Sequence, residues 1–163
     1  PKLSPASVWP VAADGKMFIT APDRYFTCLD AETGQVVWRT NKYKVRETVG
    51  LSEDGKTVYS KCMWDTVVAI STGEPISIEE PLTTWVAHAD FGYEHNPAMP
   101  LEKDGTLWVS TKNGLLLGMN AKTGKVLWRH KIGNSILNTP LPLSNKECIF
   151  TSSEGTITRV RVK

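Results

Sequence analysis

The chain has 163 residues, of which 40% are hydrophobic and 22% charged, with a formal net charge of +2. That is enough apolar material for one globular domain and too mixed in sign to mark a nucleic-acid surface. No apolar run reaches the ~18 residues that a membrane-spanning helix needs.

Cys28, Cys62 and Cys148 lie far apart with no Cys-x-x-Cys spacing, so they predict buried or isolated thiols, not a zinc site or a disulfide framework. The chain opens Pro-Lys-Leu-Ser without methionine or a signal-peptide pattern, which implies a processed chain or a piece of a larger one.

Short alternating runs rich in valine, isoleucine, threonine, tyrosine and tryptophan, separated by Asp-Gly, Thr-Gly or Asn-Gly, predict strands joined by tight hairpins. No stretch has a helical period. A first unit is expected at Val8–Ala12, Met17–Thr20, Tyr25–Asp30 and Val36–Arg39, with turns at Asp14-Gly15 and Thr33-Gly34. A second is expected at Thr48–Leu51, Thr57–Lys61, Thr66–Ile70 and Pro75–Ile78, with turns at Asp54-Gly55 and Thr72-Gly73. After a long irregular connection, Glu79 to Asn96, a third follows at Ala98–Leu101, Leu107–Ser110, Leu115–Met119 and Val126–His130. A fourth has Leu137–Leu143, Cys148–Thr151 and Thr156–Val162, and no fourth strand; Asn145-Lys146-Glu147 replaces Asp-Gly there and predicts a looser first turn. Taken as blades, the units occupy roughly 6–40, 45–79, 95–131 and 135–163.

Two repeats support this register. The stretch Cys28-Leu29-Asp30-Ala31-Glu32-Thr33-Gly34-Gln35-Val36-Val37-Trp38-Arg39 recurs from Gly118 to Arg129, with a weaker copy at Val68 to Gly73 that is read without a following tryptophan. Trp9-Pro10-Val11, Val49-Gly50-Leu51, Met99-Pro100-Leu101 and Leu141-Pro142-Leu143 recur before each first turn. Proline is tolerated on a strand edge without a neighbour, so the first strand of each unit is expected innermost, beside a central channel. Four-stranded antiparallel units at ~40 to 50 residue spacing predict an all-β fold, a β-propeller segment.

The threads Asp30, Thr33-Gly34, Trp38 and Asn120, Thr123-Gly124, Trp128 resemble the tryptophan-docking repeat of PQQ-like (quinoprotein-type) propellers, A-x-D-x-x-T-G-x-x-x-W. Cys28 and Gly118 stand at its alanine position, and Asn120 replaces its aspartate. Gly34 and Gly124 supply the positive φ of a tight turn, and Asp30 can accept turn amides.

The resemblance implies about four blades, half of a seven- or eight-bladed ring. It thereby implies either the C-terminal part of a larger bacterial protein or a second copy that completes the ring as a homodimer, because an open arc leaves an apolar face bare at each end. It also implies that the outer strand missing from the last blade is lent by the opposite terminus, and that the location is periplasmic or cell-surface. The family includes pyrroloquinoline quinone- and calcium-dependent dehydrogenases as well as cofactor-free scaffolds, such as lipoproteins that help assemble outer-membrane proteins. The adjacent cysteines of the enzymes are absent from this chain, and no complete catalytic motif is present.

The densest polar stretch, His88 to Asn96, carries His88, Asp90, Glu94 and His95, a weak candidate for a transition metal or for acid/base work. On the expected topology it meets the Lys61-to-Asp65 and Lys112-Asn113 loops on one face. Trp64 and Tyr93 either bind a peptide or glycan there or cover the core ends. The expected partner surface is therefore Lys61, Trp64, Asp65, Tyr93, Asn96, Lys112 and Asn113. The leading functional expectation is a non-catalytic scaffold or binding domain without cofactor. The alternatives are a fragment of a quinone- and calcium-dependent dehydrogenase, or a metal-dependent site at His88 and His95.

Overall fold

A computed structural model describes residues 9–46 and 48–163. Every regular element among them is a strand, in four antiparallel sheets. The first contains β1 (Val11–Ala13), β2 (Lys16–Thr20), β3 (Phe26–Asp30) and β4 (Val36–Thr40), in that order. The second contains β5 (Gly50–Leu51), β6 (Thr57–Lys61), β7 (Trp64–Ser71) and β8 (Thr83–Tyr93). The third contains β9 (Leu101–Lys103), β10 (Thr106–Ser110), β11 (Leu115–Asn120) and β12 (Val126–Lys131). The fourth has only β13 (Leu141–Ser144), β14 (Glu147–Thr151) and β15 (Ile157–Arg161).

The period-two alternation of side chains lets each central strand serve two apolar layers at once. On β7, Val68 and Ile70 join Phe18, Phe26 and Trp38 of the first sheet, whereas Val67 and Ala69 join Leu107, Leu117 and Met119 of the third. Trp108 and Leu116 point the other way, onto Cys148 and Phe150 of the fourth sheet. The sheets therefore stack face to face around three cores. At one edge their first strands converge, β5 on β9 and β9 on β13. The approach is tight: a Cβ on Gly50 would stand 1.7 Å from the carbonyl oxygen of Pro100. This is the inner wall of a propeller arc.

Three local expectations need correction. The fourth strand of the second sheet is not Pro75–Ile78. It is β8, so the sheet extends beyond residue 79, and most of the presumed irregular connection is its outer edge. Residues 72–82 instead form an ordered loop in which the amides of Ile76 and Ser77 donate to the Glu80 carbonyl. The looser first turn also belongs to the second sheet, not the fourth. Asn145-Lys146 is a two-residue turn, because a bulge between Pro142 and Ser144 brings Ser144 opposite Glu147. Asp54-Gly55 lies inside a longer loop closed by Ser52, whose hydroxyl donates to Asp54 at 2.7 Å and accepts from the Thr57 amide at 2.9 Å. Asp14-Gly15 and Asp104-Gly105 do form two-residue turns, with both residues at positive φ as a strand-matching hairpin requires. The expected start of the first strand at Val8, and of its blade at 6, lies outside the described residues.

Candidate functional site

The repeated turns are built alike. Asp30 Oδ1 accepts from the Thr33 amide at 2.7 Å, its hydroxyl at 2.8 Å and the Glu32 amide at 3.1 Å. These donors, the Thr33 amide foremost, hold the Asp30 carboxyl below its usual range. Asn120 Oδ1 accepts from Lys122 and Thr123 at 3.0 and 2.9 Å, so the amide replaces the carboxylate without loss of the turn. Trp38 lies opposite Cys28 and Trp128 opposite Gly118, each beside a bulge in the outer strand pairing.

The second sheet has the same seat, which the sequence spacing hides. Trp85 lies opposite Ala69, again at a bulge. Its indole N–H donates to the Ala121 carbonyl of the next sheet at 2.9 Å. Trp38, by contrast, is buried with no acceptor for its indole N–H among the described residues.

At one end of the central cleft, the β6–β7 turn, the end of β8 and the β10–β11 turn meet. Glu94 is buried and organises the junction: Oε1 accepts from the amides of His95 at 2.9 Å and Asn96 at 2.6 Å, and Oε2 accepts from the Lys112 amide at 3.1 Å. Lys61 is wholly buried and donates to the Ser110 carbonyl at 2.9 Å. Burial pulls its ammonium down to about 8, against the opposing pull of Glu94. Asn96 is also buried, donating to the Leu137 carbonyl at 2.7 Å and accepting from the Ala98 amide at 3.0 Å. Asn113 accepts from the Thr111 hydroxyl at 2.7 Å.

Lys61 and Asn96 thus lie beneath the surface they were expected to form. What faces outward is Trp64, 65% exposed, edge-on to Tyr93, 37% exposed, with ring centroids 5.1 Å apart. The Lys112 ammonium lies 5.1 Å over the Tyr93 ring and 3.4 Å from His95 Nδ1. It has no carboxylate within ion-pair distance among the described residues. The result is an aromatic shelf beside an unneutralised cation.

The polar stretch from His88 to His95 does not act as one cluster. His88 lies 3.2 Å from Asp65 and 3.4 Å from the Thr66 hydroxyl. Asp90 pairs with Arg129 at 2.9 Å, Glu94 is consumed by amides, and His95 faces Lys112 and Tyr93. Among the described residues, no group of three or more His, Cys, Asp or Glu side chains is placed to hold a metal ion.

A family model described as outer membrane protein assembly factor BamB matches residues 29–163. BamB of Escherichia coli strain K12 is 24% identical over 156 residues, which cover 96% of this chain but 37% of that protein. The chain therefore spans little more than a third of this curated relative. The crystal structure of BamB from Moraxella catarrhalis superposes with a TM-score of 0.70 at 14% identity, covering 98% of this chain and 46% of that one. A quinohemoprotein alcohol dehydrogenase from Comamonas testosteroni shares the fold at a TM-score of 0.62 and 17% identity, over 78% of this chain and 21% of that one.

Proposed function

The chain belongs to the family of the outer membrane protein assembly factor BamB, and from that premise we propose that it is part of a non-catalytic propeller scaffold that holds other proteins in the periplasm during outer-membrane assembly. The observation that carries this reading is the shelf of Trp64, Tyr93, His95 and Lys112. Its aromatic rings and cation face solvent, while Glu94, Lys61 and Asn96 below are spent on internal bonds. Groups so committed suit a rigid recognition surface better than proton transfer.

The test is to replace Trp64 and Tyr93 by alanine and Lys112 by glutamate in the full-length protein in its own bacterium. We expect less folded outer-membrane β-barrel protein, as in a strain without the protein, at unchanged levels of the variant. Wild-type levels would overturn the assignment of the shelf. The dehydrogenase alternative makes the opposite prediction: calcium-dependent uptake of the quinone with dye-linked alcohol oxidation, which the scaffold does not perform. The metal alternative predicts equimolar bound metal that His88→Ala and His95→Ala abolish.

The partners proposed for the arc itself are the remaining blades of a longer protein or a second copy. Gly34 supports this: among the described residues nothing lies within 4 Å of a Cβ built there, whereas the equivalent Gly124 is covered by Trp85. Among the described residues, the first sheet thus has a docking turn with no indole on it. Light scattering of the isolated chain distinguishes the two: a particle near twice 18.1 kDa supports ring closure by two copies, and a monomer leaves closure to other blades.

A further inference from the structure

An outer strand leaves a row of backbone N–H and C=O groups unpaired, and proteins blunt such edges with cations, irregularity or a covering segment. The sheets differ in this respect. β4 carries Arg39, whose amide already donates to the Ile78 carbonyl at 2.7 Å. β12 ends in Arg129-His130-Lys131, and β15 carries Arg159 and Arg161. β8 is the longest strand of the described residues and contains neither lysine nor arginine. Its far end is closed by Arg129, which donates to the Ala89 carbonyl at 3.2 Å and to Asp90 at 2.9 Å. Among the described residues, the stretch left without an outer backbone partner is Thr83 to His88.

Its surroundings indicate what fits. Thr84, Val86 and His88 are exposed on one face while Trp85 and Ala87 turn to the third sheet. The loop leading into β8 carries two bare isoleucines, Ile76 at 64% and Ile78 at 62% exposure. Beside them, Glu79 has no cationic partner among the described residues, and Glu80 has only Lys42 at 3.9 Å. Neighbouring sheets of a propeller occupy faces, so this edge points away from whatever blades precede or follow.

We propose that the Thr83–His88 edge of β8 is a docking strand for an extended segment of another polypeptide, with apolar side chains beside Val86 and basic ones toward Glu79 and Glu80. Main-chain bonds to β8 supply affinity and the alternate side chains supply selectivity. The inference does not rest on the scaffold reading or on the Trp64 shelf.

The test uses the full chain and a short synthetic peptide of alternating valine and threonine ending in lysines, read by amide hydrogen exchange. Saturating peptide is expected to slow exchange in Thr83–His88 and nowhere else on the outer edges. Val86→Lys should weaken binding about tenfold, while Val86→Thr, which keeps strand propensity, should bind like the parent. The summed emission of the six tryptophans, compared with that of the parent, verifies that both variants are folded. Unchanged exchange in β8 at saturating peptide would overturn the proposal. So would exchange that slows with protein concentration alone, because a second copy would then own the edge.

Discussion

The Trp85 ring lies against Gly124 of the next sheet so closely that a Cβ on that glycine would stand 2.6 Å from Cε3, with the indole N–H bonded to Ala121 alongside. Gly34 occupies the same place in the first sheet, and no other described residue comes within 4 Å of a Cβ built on it. Both have φ near +70°, where an alanine costs about 1–2 kcal/mol on backbone grounds alone. Gly34→Ala should lose about that much by urea denaturation. Gly124→Ala should lose about 3 kcal/mol or more, because the indole must also move. In a longer protein whose preceding blade docks on Gly34, the two losses should become equal.

Lys61 should give the fold an alkaline stability gain. Its folded value, about 8, is below the ordinary 10.5, so below pH 8 both states are protonated and the burial penalty is fully present. Between pH 8 and 10.5 the native state releases its proton first, and stability should rise with pH, by at most about 3 kcal/mol. Denaturation of wild type and Lys61→Met across this range checks it, the rise being lost in the variant.

Glu94→Gln is nearly isosteric but presents an amide N–H₂ where three backbone N–H groups already converge. We expect a loss of about 2–4 kcal/mol. Shifted NMR signals should appear at Tyr93, His95 and Lys112, with Phe18 and Trp38 unmoved. Glu94→Asp, which keeps the charge, should recover part of the loss.

The thiols of Cys28, Cys62 and Cys148 are all buried, and burial pushes them to about 11, 12 and 12. A thiol reagent at neutral pH should leave the folded protein untouched and modify all three only with unfolding.

The fold was legible because its repeats rest on rigid local chemistry. Asp30 and Asn120 accept the same turn amides, and Trp38 and Trp128 follow each at the same spacing. Trp85 was missed because eleven loop residues, 72–82, separate it from its strand partner. β8 was hidden because alanine, histidine, aspartate and glycine in its second half do not look like a strand, although their burial alternates as one. At the rim, the end of the His88–Asn96 stretch meets the Lys61–Asp65 turn through the Glu94 amide on the Met63 carbonyl, and the Lys112-Asn113 turn through the Lys112 amide on Glu94. The sequence could not tell which polar groups would be spent inside: Glu94, Lys61 and Asn96 find amide and carbonyl partners from residues up to 49 positions away.

The bulge seating each docking tryptophan opposite Cys28, Ala69 or Gly118 uncouples the length of the outer hairpin from its purpose. Ala31–Gln35 and Ala121–Lys125 make the crossing briefly, residues 72–82 make it at leisure, and the indole arrives at the same cross-strand station in each case. Those hairpins are therefore where foreign sequence can be spliced into this architecture, and where its descendants can acquire new contacts without renegotiating how the sheets stack.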